Sequence, residues 1–261
     1  MTPEFANQIQ KRFPRLNHET QWLATRPIAH RGLHSNRTNR PENSLAAFEA
    51  AASAGIPIEL DVQISADDKL FVIHDEDLER LTGQPGMIWN FSSEELSGLR
   101  LLQTNEKIPT LEEVFDLVRE RVPILIEIKN IRNKRKIDEL VLQAIRKYKG
   151  PVAIISFNIL SIAWFRRHAP KIPRGVLVSD FIGAPVAGII KRFILHVVLH
   201  HSLVVWFSHP HFVAYELKML PFIASRITKF RKKPVLSWVI RTASEKASAK
   251  KHSDNYIFEK F

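Results

Sequence analysis

Eight short β-rich runs that alternate with helical patterns along 261 residues predict an α/β protein folded as a TIM-type (β/α)8 barrel. The length fits, because such barrels take roughly 250 residues and a chain of this size can close one core, so one domain spanning 1–261 is expected. Chemistry-bearing residues also sit at the ends of apolar runs, where a barrel presents catalytic side chains. The runs fall at 27–30, 56–60, 122–128, 152–157, 175–179, 212–216, 235–240 and 256–258, the number of staves that a small closed barrel needs.

Before the first run, Phe5, Ile9, Phe13 and Leu16 recur at helical spacing among Lys11, Arg12, Arg15 and His18, which predicts an amphipathic helix packed under the barrel. No continuous apolar stretch resembles a secretory core, so a cytoplasmic protein is expected, peripheral to a membrane at most. After Asn43, the alanine-rich stretch 44–54 reads as a helix, with Asn43 and Ser44 as its caps. A ninth apolar run, 70–73, follows the second after only five residues, too few for a parallel crossover. It is expected to be a hairpin arm, turned at Asp67-Asp68, that folds His74 back towards Glu59 and Asp61. Residues 76–109 break the βα rhythm, and Thr110 to Glu113 has capping-box spacing before a helix. Within the segment 184–207, the fifteen-residue apolar run 193–207 that follows Lys191-Arg192 is too short to span a bilayer comfortably. A buried barrel helix, an interfacial helix and a wall for an acyl chain are its three readings.

Cysteine is absent, which excludes disulfides, thiolate nucleophiles and cysteine-based metal sites. Lys and Arg number 38 against 27 Asp and Glu, a net charge of +11. With an isoelectric point near 9.9, anionic partners are expected, whether a phosphodiester, an acidic membrane surface or nucleic acid, and charge alone does not choose among them. No nucleic-acid module or zinc-finger spacing is present, so nucleic acid is not expected.

The densest chemistry lies in His30-Arg31-Gly32, Pro41-Glu42-Asn43-Ser44, Glu59-Leu60-Asp61 and His74-Asp75, followed by Glu127-Ile128-Lys129. The i, i+2 spacing of Glu59 with Asp61, and of Glu127 with Lys129, points both members of each pair the same way from an extended strand. Carboxylates gathered in this way repel one another unless they hold a proton or a hard divalent cation, and the cation is the favoured reading. Two histidines with ordinary pKa values near 6.5 suit general acid and base work. Arg31 and Lys129 suit donation to phosphate oxygens.

Together with Ser156-Phe157 and Trp238, these motifs resemble the glycerophosphodiester phosphodiesterase family over nearly the whole chain. The resemblance implies hydrolysis of glycerophosphodiesters to glycerol 3-phosphate and an alcohol, with His30 and His74 catalytic. It implies one Mg2+ or Ca2+ held by Glu59, Asp61 and Glu127 with Glu42 beside them, and substrate contacts from Arg31, Lys129 and Trp238. It also implies that 76–109 is a small insertion over the active-site mouth. A lysophospholipase D activity is a close variant, and a lipase-C-like or sphingomyelinase-like enzyme a more distant one. A non-catalytic, basic membrane-surface protein is the reading from another class.

Overall fold

The computed structural model describes residues 3–17, 19–35, 39–130, 132, 135–179, 207–221 and 223–259. Eight parallel strands close into a barrel: β1 (Ile28–Ala29), β2 (Ile58–Ile64), β4 (Ile124–Ile128), β5 (Val152–Ser156), β6 (Arg174–Val178), β7 (Phe212–Glu216), β8 (Val235–Ile240) and β9 (Asn255–Phe258). The seam is made by β1, which pairs with β9 through Ile28↔Ile257 and with β2 through Ala29↔Ile58. All eight staves coincide with runs read from the sequence, within a residue or two at their ends except for β2, which continues four residues beyond its run to Ile64. The long apolar segment 184–207 lies outside the described residues except for Phe207. Among the described residues no helix is long and apolar enough to cross a membrane.

Strand alternation sorts the core into two shells. Leu60, Val62, Ile124, Ile126 and Ile154 point outwards into a layer shared with α3 (Leu45–Ser53), α6 (Leu111–Val118), α7 (Arg135–Lys147) and α8 (Ile159–His168). Leu125, Ala153, Ile155, Leu177, Phe212, Ala214, Leu236 and Ile257 fill the inside. Gly175 has no side chain because a Cβ there would lie 2.2 Å from the Phe212 ring. The same alternation carries Glu59, Asp61 and Glu127 inwards above this apolar floor.

The base is plugged by the N-terminal segment. Helix α1 (Pro3–Arg12) delivers Ile9, which joins Phe13, Leu16, and Trp22 and Leu23 of α2 (Trp22–Thr25) against the barrel interior. Asn255 Nδ2 donates to the carbonyls of Trp22, Leu23 and Arg26, at 3.3, 3.1 and 2.7 Å. Arg12 pairs with Asp254.

The short run after β2 is an antiparallel arm, β3 (Leu70–Val72), registered Val62↔Val72. Strand β2 thus gives one edge to β4 and divides the other between β1 and β3. Gln63 Nε2 fastens the arm's end, lying 3.2, 2.9 and 2.7 Å from the carbonyl oxygens of Ile73, His74 and Asp75. Residues 76–109 form α4 (Glu79–Thr82), α5 (Ser93–Gly98) and turns around a separate apolar cluster of Phe71, Ile73, Leu78, Leu81, Ile88 and Leu96.

Two local devices hold the loops under the site. Gly32 has φ +79°, and a Cβ there would meet the Ala47 backbone at 2.9 Å. Gly32→Ala is expected to cost at least about 2 kcal/mol, read as a lower urea midpoint with an unchanged m-value. Beyond β4, Asn130 Nδ2 donates to Ser161 Oγ at 2.9 Å and to Asp138 Oδ2 at 3.3 Å, tying the loop to α7 and α8. Burial pushes the Asp138 carboxyl up to about 6. A raised carboxyl pKa means the folded state binds the proton more tightly, so this group's contribution to stability is full below pH 4 and is lost as pH rises through 6. Asp138→Asn should therefore gain up to about 2 kcal/mol relative to the native chain between pH 4 and pH 8, seen as a growing difference in melting temperature.

Candidate active site

A cavity of about 630 Å³ opens at the C-terminal ends of the staves, lined by His30, Arg31, Glu59, His74, Glu127, Lys129, Phe157 and Trp238 among others. Glu59, Asp61 and Glu127 each offer an oxygen within 4.8 Å of the others, and all three are buried. Burial pushes Glu59 well above the usual carboxylate range, reinforced by repulsion from Asp61 and Glu127. Burial likewise raises Glu127, to about 7, against the pull of Lys129. Asp61 is the exception: burial would raise it, but Lys129 and Arg31 outweigh that and hold it below its ordinary range.

Two cations are built into this set. Lys129 Nζ lies 2.6 Å from Glu127 Oε1 and 3.1 Å from Asp61 Oδ1. Arg31 donates its backbone N–H to Glu59 Oε2 at 3.0 Å and brings Nε to 3.3 Å from Asp61 Oδ2. When all three carboxylates are ionised they outnumber the two cations facing them by one charge, and an all-oxygen donor set suits a hard divalent ion. The residues present therefore fit such an ion at Glu59, Asp61 and Glu127.

Glu42 is placed differently from the sequence expectation. It stands outside the cluster of three, where Arg31 Nη1 at 2.6 Å and Arg80 Nη2 at 2.7 Å satisfy its Oε1. Those two guanidiniums, opposing the effect of burial, keep Glu42 ionised and below its usual range. Its role here is to hold Arg31 against Asp61 and to bind the insertion, through Arg80, to the mouth. Arg80 also pairs with Asp75.

Each histidine is oriented by a carboxylate. His30 Nδ1 lies 2.9 Å from Glu259 Oε1, with Nε2 4.0 Å from Glu59 Oε2. His74 Nδ1 lies 2.6 Å from Asp75 Oδ1. A proton on Nδ1 in both rings satisfies these bonds and leaves Nε2 as the working nitrogen. Burial pulls both imidazoles below their usual range, with Glu259 opposing at His30 and Asp61 at His74. Trp238 stands edge-on to Phe157, ring centroids 5.7 Å apart, and donates Nε1–H to the Ala214 carbonyl at 3.2 Å.

Some working residues escape a reading of the sequence. Asn43 is not a helix cap; with φ +56° it turns inwards and donates Nδ2–H to Asp61 Oδ2 at 2.9 Å, while Ser44 alone caps α3. Glu259 directly follows the eighth stave, and that strand-end position was the signal that could have found it. Arg241 holds Glu259 from behind with two bonds of 2.8 and 2.9 Å. Ser156 serves structure, its Oγ donating to the Ile128 carbonyl at 2.7 Å.

Fold and site together define a β/α-barrel hydrolase of phosphoric diesters. Residues 30–242 match the sequence model of the Glycerophosphoryl diester phosphodiesterase family, and the chain belongs to that family. A glycerophosphodiester phosphodiesterase from Caldanaerobacter subterraneus subsp. tengcongensis is 39% identical over 166 residues, 59% of this chain and 67% of the relative. A lysophospholipase D from Rattus norvegicus is 32% identical over 154 residues, 52% of this chain and 48% of the relative. An Oleispira antarctica phosphodiesterase, solved with the product sn-glycerol-3-phosphate, shares the fold with a TM-score of 0.73 at 22% identity, over 89% of this chain and 92% of that one.

Glu259→Gln keeps the volume but removes the charge that orients His30. It should lower kcat by about tenfold to a hundredfold while KM moves little. Steady-state kinetics with kcat unchanged would remove Glu259 from the machinery.

Proposed function

We propose that this chain hydrolyses glycerophosphodiesters to glycerol 3-phosphate and an alcohol, assisted by a divalent cation. The observation that carries this reading is the convergence of three buried carboxylates, two carboxylate-held histidines, Arg31 and Lys129 on a single cavity. We read 1–261 as one catalytic unit, with 76–109 as its insertion. Glu59, Asp61 and Glu127 would hold Mg2+ or Ca2+. When bound, that ion neutralises phosphoryl oxygens and eases charge development at phosphorus.

The remaining work falls to the chain's own groups. Arg31, fixed by Glu42, offers a planar fork to the phosphate, and Lys129 offers a compact charge from the other side. His30 and His74 divide the proton work: one Nε2 takes the proton of the attacking hydroxyl and the other protonates the departing alkoxide. The attacking group is water or the substrate's own glycerol hydroxyl. Trp238 and Phe157 give the glycerol carbons an apolar face. The floor excludes bulk water because its side chains pack directly beneath the carboxylates.

A second reading, lysophospholipase D action, is favoured by the apolar half of the cavity wall, where Ile155, Phe157, Leu177, Leu217 and Leu220 could lie along an acyl chain.

Release of glycerol 3-phosphate from glycerophosphocholine and glycerophosphoethanolamine, and of choline and lysophosphatidic acid from lysophosphatidylcholine, with Mg2+, Ca2+ or chelator, tests both readings. Turnover should vanish with chelator, and His30→Ala should reduce kcat by at least about a hundredfold. Glu59→Ala should abolish the response to added ion. Undiminished turnover in chelator would remove the cation, and release from the lysolipid alone would install the second reading.

A further inference from the structure

A β/α barrel sends every helix C-terminus, and the turn that follows it, to the face opposite the mouth. Four of those turns are basic: 146–149, 166–171, 231–233 and 250–252 contain lysine, arginine and histidine but no aspartate or glutamate. The acids nearby are few. Glu120 sits between Arg119 and Arg121, and Asp254 is paired with Arg12. Cations in a last helical turn complement the macrodipole, which accounts for Arg146, Arg166 and Lys250. It does not account for Lys149, Lys171, Arg231 and Lys232, which lie exposed beyond the helix ends.

The charge also continues inwards. Arg174, at the start of β6, is 6% exposed, and Lys233, just before β8, is 4% exposed. The charged groups acting on them are cations: Arg15 and Arg166 on Arg174, and Arg15, Arg231 and Arg174 on Lys233. Burial and this repulsion pull Lys233 down to about 7 and Arg174 to about 10. Among the described residues, the charged groups named around these two side chains are thus all basic, and the cationic surface of the base extends inwards to them.

One apolar feature stands on the same rim. Phe230, the last residue of α9 (Ile223–Phe230), is 88% exposed, and Ile227, one turn earlier, is 38% exposed. Arg226, Lys229, Arg231 and Lys232 flank them. An aromatic and an aliphatic side chain projecting from a ring of cations is the composition that seats a protein on an anionic lipid interface. Nucleic acid would meet the charge and Phe230 offers one ring, but single-strand binding uses successive stacking platforms along a basic groove, whereas here one aromatic stands among cations spread over a face.

We infer that this face docks on bilayers containing acidic phospholipids, with Phe230 and Ile227 entering the interface and the surrounding lysines and arginines contacting the headgroups. Docked this way, the cavity mouth points away from the lipid, towards water. The inference stands apart from the catalytic reading, because its test measures binding.

Flotation with phosphatidylcholine vesicles, with and without about one-third phosphatidylglycerol, tests it at low salt and at about 0.5 M salt. The native chain should float with the acidic vesicles at low salt and not with phosphatidylcholine alone. Arg231→Glu with Lys232→Glu should weaken partitioning at least about tenfold, and Phe230→Ser severalfold, while hydrolysis of soluble glycerophosphocholine stays unchanged. No flotation of the native chain on acidic vesicles would overturn the inference. Equal flotation of native and both variants would do the same, as would capture by double-stranded DNA without capture by vesicles.

Discussion

Mutual repulsion among Glu59, Asp61 and Glu127 is the constraint around which the upper half of the molecule is organised. Three carboxylates enclosed by a barrel cost several kcal/mol unless opposite charge is brought to them. The chain brings it from two directions, through Lys129 two residues beyond Glu127 and through Arg31 at the end of β1. Arg31 must itself be held, and Glu42 holds it; Glu42 in turn is shared with Arg80 of the insertion. A single electrostatic debt at the centre thus explains why the loop after β1, the hairpin and the insertion are fastened to one another.

The barrel was legible because its staves are apolar, evenly spaced and punctuated by helical stretches, so period and length agree. The hairpin arm was legible for a geometric reason: the five residues before Leu70 cannot make a crossover. The inward carboxylates were legible from i, i+2 spacing. What stayed hidden depends on long-range contact or on backbone conformation. Asn43 looks like a cap because its type is common there, and only its positive φ turns it to Asp61. Glu259 and His30 are 229 residues apart and meet only because β9 lies beside β1. Glu42 reads as one more acid for the cluster until two arginines are seen to claim it.

The two histidines show how differently positioned groups reach similar states. His30 sits on a stave and takes its orientation from the neighbouring stave's end. His74 sits at the tip of an arm, yet Gln63, itself on β2, binds the carbonyls on either side of it. The arm is therefore as fixed as the strand it leaves. Both rings share a carboxylate on Nδ1 and a lowered proton affinity from burial.

The basal plug has a bearing on how the chain is made. Phe13, Leu16 and Trp22 leave the ribosome well before the surface they cover, which includes Leu236 and Ile257, and before their carbonyl anchor, Asn255. Until then a growing chain carries these apolar side chains without their final seat, a window in which chaperone capture competes with self-association. Closure of the base follows the synthesis of β9, and it joins segments 233 residues apart in one step.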